Sequence, residues 1–80
     1  MSDSTKKPLS LIALEEAIEA AGSQSELGRA TGKSQGHVAT WLVRGRCPAE
    51  LVLTIEEKTG VSRHRLREDV FGPAPSEAAE

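Results

Sequence analysis

Residues 28–45 read GRATGKSQGHVATWLVRG, and the fold depends on where this stretch is divided. The helix entering it begins near residue 24 and has run only about two turns when it reaches Gly32, a residue that adopts the left-handed conformation ending helices. Ser34 then stands where an N-terminal cap belongs, and Gly45 closes the segment that Ser34 opens. The spacing therefore predicts two short helices, the second over 35–43, separated only by Gly32-Lys33-Ser34. Upstream, Ser23-Gln24-Ser25-Glu26 has the pattern of a capping box, with Ser23 bonding the amide of Glu26 and the Glu26 carboxylate returning to Ser23.

Two helices joined by a tight glycine-containing turn form a helix-turn-helix, an arrangement whose second helix enters the DNA major groove. On a 3.6-residue wheel, Val38, Trp41 and Leu42 fall within about one third of the circle and face inward with Leu27. Trp41 is accordingly read as core and not as a stacking platform. Gly36, Ala39, Thr40, Val43 and Arg44 make the opposite arc, with Gln35 and His37 at its edges.

That arc suits a groove. Glutamine bonds the edge of adenine in a bidentate way, threonine or alanine touches a thymine methyl, and His37 or Arg44 can reach a guanine or a phosphate. The expected base-reading set is Gln35, Gly36, His37, Thr40 and Arg44, with Gly36 letting the backbone approach. Gln24, Lys33, Ser34 and Arg46 are the expected backbone-holding set, since amides and short polar side chains at helix starts hold phosphates. Gly28 lacks a side chain where the two helices must cross closely.

The rest of the chain reads as helix. Leu11, Leu14, Ile18 and Ala21 recur at spacings of three and four, predicting a first helix over 11–21 with Ser10 as its cap, Leu9 and Leu14 as a hydrophobic staple, and Gly22 at its end. Pro48 in a first turn opens a fourth helix carrying Leu51, Val52, Ile55 and Thr59 and closed by Gly60. Ser62 opens a short fifth helix with Val61 and Leu66 at staple positions, after which Val70 and Phe71 fold back onto the core. The expected division is a flexible arm over 1–9, a five-helix domain over 10–72 and a disordered tail over 73–80, whose PAPSEAAE has no large apolar residue. The fold class is all-α.

Composition agrees with that class. Eighty residues make one small domain with little room for a catalytic cleft, and the core must come from aliphatic residues, since the chain has one Trp, one Phe and no Tyr. The net charge of −2 argues against nucleic acid until its distribution is examined. Residues 24–46 hold Arg29, Lys33, Arg44 and Arg46 against Glu26 alone, and 58–67 hold Lys58, Arg63, Arg65 and Arg67 with no acid. For Arg63, Arg65 and Arg67 a solvated face and a phosphate contact both stay open.

No enzyme, cofactor or metal site is expected. No nucleophile converges with a supporting base, and His37 and His64 have no Cys, Asp or Glu at ligand spacing on a shared helix face. Cys47 is the single cysteine, read as an incidental thiol in a reducing, cytoplasmic setting. The start, MSDSTKKPLSLIALEE, lacks the apolar length and cleavage site of a secretory signal, and no apolar run approaches a membrane span.

The order Gln24, Leu27, Gly28, Gly32, Gln35, Val38, Trp41 resembles the helix-turn-helix of the Cro/repressor family of phage and bacterial regulators. Its continuation, WLVRGRCPAELVLTIEEKTGVSRHRLREDVFG, is similar to a subset of that family, the Cro-like and YdaS-like antitoxin-type transcriptional regulators, whose ends read PAE, IE, TGV and RHxLRPD. The resemblance covers about residues 11–72 and implies a lambda-repressor-like domain that represses transcription by occupying an operator in double-stranded DNA. It also implies that Gln24 contacts a phosphate and Gln35 a base. Glu68 stands where these relatives usually carry proline, so helix five is expected to run further than theirs. Val43, Val52 and Leu53, apolar beyond the needs of the predicted core, suggest an interface and a homodimer, weak in solution and completed on two half-sites. The alternative is an antitoxin or protein-interaction module that uses the same fold to hold a protein partner such as a toxin.

Overall fold

The computed structural model describes residues 7–73. Six α-helices and one 3-10 turn make up the described chain, with no strand: α1 (Leu9–Ala21), α2 (Gln24–Thr31), α3 (Gln35–Arg44), the 3-10 turn Ala49–Leu51, α4 (Val52–Thr59), α5 (Arg63–Leu66) and α6 (Glu68–Phe71). The first six residues of the expected arm, and all of the expected tail after Pro73, lie outside the described residues.

One core joins these elements. Ala13, Leu14 and Ala17 of α1, Leu27 of α2, Val38 and Trp41 of α3, and Val52 and Ile55 of α4 are buried together with Cys47, Val61 and Leu66. Removing each large aliphatic side chain from water stabilises the fold by about 1.5–3 kcal/mol, the dominant favourable contribution in a domain of this size. Val52 is fully buried, which corrects its reading as interface, because α4 turns that residue toward α1 and α2. Phe71 packs on the core as expected, whereas Val70 remains half exposed.

The helix boundaries and caps differ from the sequence reading at α1, α2, α4 and α5, and α3 runs one residue further, to Arg44. The first helix begins at Leu9, with Pro8 at its cap, and the Ser10 hydroxyl donates to the Gly45 carbonyl at 2.7 Å. Ser10 thus ties the start of α1 to the end of α3 by satisfying a helix-terminal carbonyl. Ser23 accepts from the Glu26 amide at 3.1 Å, but only this half of the expected capping box forms, and the Glu26 carboxylate lies 3.8 Å from Arg29. The fourth helix is divided into the 3-10 turn and α4, because the Leu51 amide bonds Pro48 three residues back, at 3.0 Å.

The fifth helix does not run on past Glu68. Arg67 leaves helical geometry at φ −144° and ψ 70°, so α5 ends at Leu66 and Glu68 becomes the first residue of α6. Both the break and the placement follow from the Arg67 side chain. Its guanidinium is held on one side by the Cys47 carbonyl at 2.8 Å and on the other by the Asp69 carboxylate at 2.8 and 3.0 Å.

Candidate nucleic-acid interface

The α2–turn–α3 segment is built by its caps. Gly32 ends α2 at φ 75° and its amide bonds back into that helix, while the Lys33 amide donates to the Gly28 carbonyl at 2.7 Å. Ser34 opens α3 in extended geometry, so three residues suffice to reverse the chain. The close approach falls at Gly28, where a β-carbon would lie 2.9 Å from backbone atoms of Ser34.

A complete capping box forms at the head of α3. The Ser34 hydroxyl accepts from the His37 amide at 3.4 Å, and the His37 ring accepts at Nδ1 from the Ser34 amide at 3.3 Å, with the Ser34 hydroxyl 2.9 Å from the same nitrogen. An Nδ1 that accepts leaves the proton of the neutral ring on Nε2. His37 therefore offers a donor away from the turn. Ser34 has its amide and hydroxyl engaged by His37.

The inner face of α3 is buried through Val38 and Trp41, with Leu42 partly buried. Gln35, Gly36, His37, Thr40, Val43 and Arg44 are exposed, and Ala39 is intermediate. The wheel placed these residues on the solvent side, and their exposure agrees. His37, Thr40 and Arg44 line a groove of about 400 Å³ with Trp41, Arg46, Cys47, Pro48 and Arg67. Gln35 and Gly36 sit at the start of α3, outside that groove. Gln24 is the half-buried first residue of α2, and Lys33 lies exposed in the turn.

The cations divide into two groups. Arg63 lies 3.2 Å from Glu56, Arg65 grips Glu16 through two bonds of 2.7 and 2.8 Å, and Arg67 grips Asp69. These three are engaged within the fold, whereas Lys58 of the same run makes no ion pair with another described residue. The hydrogen bonds from Arg65 hold the Glu16 carboxyl below its usual range, and those from Arg67, with a smaller contribution from Arg46, do the same for Asp69. Lys33, Arg44 and Arg46 make no ion pair with another described residue. Their positive charge therefore lies around α3, with that of Arg46 acting in part on Asp69.

Arg67 is the charged groove residue that sequence reasoning did not place there. It reaches Cys47 across 20 positions of chain, and nothing in local spacing announces such a contact. Cys47 is itself more than incidental, being 1% exposed in the core, with burial pushing its thiol up to about 11. Among the described residues no group of three His, Cys, Asp or Glu side chains could hold a metal ion. No helix among them is long and apolar enough to cross a membrane.

A family model described as bacterial toxin YdaS matches residues 14–75. No curated protein and no solved structure gives a significant match.

Proposed function

The chain belongs to the YdaS family, described as a bacterial toxin, and from that premise we propose that it is a sequence-specific DNA-binding repressor of the Cro type. In this reading α2, the turn and α3 act as a helix-turn-helix with α3 in the major groove. The observation that supports it best is the exposed outer face of α3, bordered by Lys33, Arg44 and Arg46 without carboxylate partners while the other arginines near the core are paired. Three of the four described cations that make no ion pair, Lys33, Arg44 and Arg46, thus lie in or beside α3, the fourth being Lys58 on α4, and the three give that helix a local electrostatic footprint for phosphate.

The division of labour follows from residue chemistry. Gln35 pairs with the edge of adenine, Gly36 permits close approach, and Arg44 reaches guanine, with His37 donating from Nε2. Gln24, Lys33 and Arg46 hold the phosphates, and Ser34 positions the head of α3. Two copies bind half-sites about one helical turn apart as a homodimer, and occupation of the operator excludes polymerase. A phage or prophage regulator and a regulator in a toxin-antitoxin operon would both use this mechanism.

A second reading is a protein-interaction module, acting as a toxin or binding one. The word toxin in the family description and the exposed Val43 favour it. Salt dependence separates the two. Binding to a labelled duplex of random sequence should fall linearly on logarithmic axes as salt rises, with a slope of about −0.9 per phosphate neutralised. Absence of duplex binding at low salt by folded protein would reject the DNA reading.

A further inference from the structure

Val43 is 87% exposed, far more than any other large apolar side chain among the described residues. Stability does not account for it. A β-branched residue in an exposed helical position lowers helix propensity and gains nothing from burial. Its position is specific, for on the α3 wheel Val43 lies beside Gly36 and Thr40 at the point farthest from Val38, Trp41 and Leu42.

Thr40 adds to the same strip in an unexpected way. Its hydroxyl donates to the Gly36 carbonyl at 3.1 Å, so the hydrogen-bonding end is spent on the helix itself and the methyl is what the side chain offers outward. Gly36 has no side chain. The crest of α3 is therefore hydrocarbon, running from a bare backbone through one methyl to the two methyls of Val43, with Gln35 at one end and Arg44 at the other.

We propose that Val43, with the Thr40 methyl, is a specificity-determining contact for the C5-methyl group of thymine in the major groove; this rests on the DNA-binding reading above. The thymine methyl is the one apolar group on a major-groove base edge, and a valine can recognise nothing else there. The surroundings favour a base over a protein partner. A protein-docking face is a contiguous apolar patch, and Val43 is the one exposed large hydrophobic on α3, with Leu9, Ile12, Leu53 and Val70 carried by other helices. Beside Val43 on α3 stand Ala39 and Thr40, with Gly36 one turn further, and Lys33, Arg44 and Arg46 flank the strip as phosphates flank a groove.

The test uses the full chain and a duplex obtained by selection from random sequences. Each thymine is replaced in turn by deoxyuridine, which removes only the methyl, and affinity is measured for the wild type and for Val43→Ala. Unfolding followed by Trp41 fluorescence should show Val43→Ala at least as stable as the wild type, since Val43 is 87% exposed and alanine is the better helix former.

The expected result is a loss of about fourfold at one thymine in each half-site, the change that goes with exposing one methyl-sized group. That thymine should become equivalent to deoxyuridine in Val43→Ala. Specific binding of the selected duplex with no deoxyuridine effect, or an effect that persists in Val43→Ala, overturns the proposal and leaves DNA binding standing. Failure to select any site overturns both. A Val43→Ala variant that loses capture by a protein partner while keeping its duplex affinity also overturns it, and identifies Val43 as a protein contact.

Discussion

A β-carbon on Gly28 would sit 2.9 Å from both the carbonyl carbon and the carbonyl oxygen of Ser34, and 3.0 Å from the carbonyl oxygen of Lys33. All three are backbone atoms of the turn into α3, so none can swing aside as a flexible side chain would. The angle at which α3 leaves α2 is thus fixed by a missing methyl group. Gly28→Ala should cost about 1–3 kcal/mol through overpacking. Urea unfolding monitored by Trp41 fluorescence checks this, and an unchanged midpoint would mean that the crossing tolerates a side chain.

Gly36 gives the opposite expectation for stability. A β-carbon there meets only the Ser34 hydroxyl, at an ordinary 3.6 Å, within a helix where alanine is favoured over glycine by about 0.5–1 kcal/mol. Gly36→Ala should therefore stabilise the protein. If the outer face of α3 approaches DNA closely, the same variant should bind its selected duplex more weakly. A stabilised variant with full affinity would show that Gly36 does not face the DNA.

Glu68 stands where the family resemblance leads one to expect proline, and the local shape is one that a proline would allow. Arg67 is already out of helical geometry, Glu68 is the first residue of α6, and its amide makes no backbone hydrogen bond. Proline is tolerated at a first helical position and restricts the unfolded chain. Glu68→Pro should fold normally and gain up to about 1 kcal/mol in thermal or chemical denaturation. A clear loss would mean that the break at Arg67 depends on the glutamate.

Cys47 gives the fold a pH dependence on the alkaline side. Burial raises its thiol from the ordinary 9.0 to about 11, so the folded state holds the proton more tightly than the unfolded state does. The stabilising contribution is complete below about 9 and is lost as pH rises through the folded value of about 11. Unfolding midpoints should fall across that window in the wild type, with the cysteine component missing in Cys47→Ala. At neutral pH, iodoacetamide should label Cys47 only as fast as the protein unfolds. Rapid labelling of folded protein would contradict its burial.

The parts of this fold legible in the sequence are those governed by neighbours in the chain. Ser23, Gly32, Ser34 and Gly45 fix the ends of α2 and α3 through bonds spanning four residues or fewer, and the wheel of α3 follows from its period. What escaped the reading depends on long-range partners. Ser10 looked like a cap and instead bonds Gly45, 35 positions away, while Arg65 meets Glu16 across 49. For Arg63, Arg65 and Arg67 the sequence left a solvated face and a phosphate contact both open, because charge counted along a chain does not reveal the carboxylates that other parts of the fold bring to it. For the candidate site, exposure and grouping of the α3 residues were readable, whereas the entry of Arg67 into the groove required the Cys47 contact.

The measurement that tests the account most directly is selection of bound sequences from a random duplex library by the purified protein at moderate salt, followed by titration of Gln35→Ala. The account predicts a palindromic or near-palindromic site with half-sites about one turn apart. On that site Gln35→Ala should lose about 1–3 kcal/mol, and on random DNA very little. No enrichment by folded protein, or equal losses on both duplexes, would contradict base reading by α3.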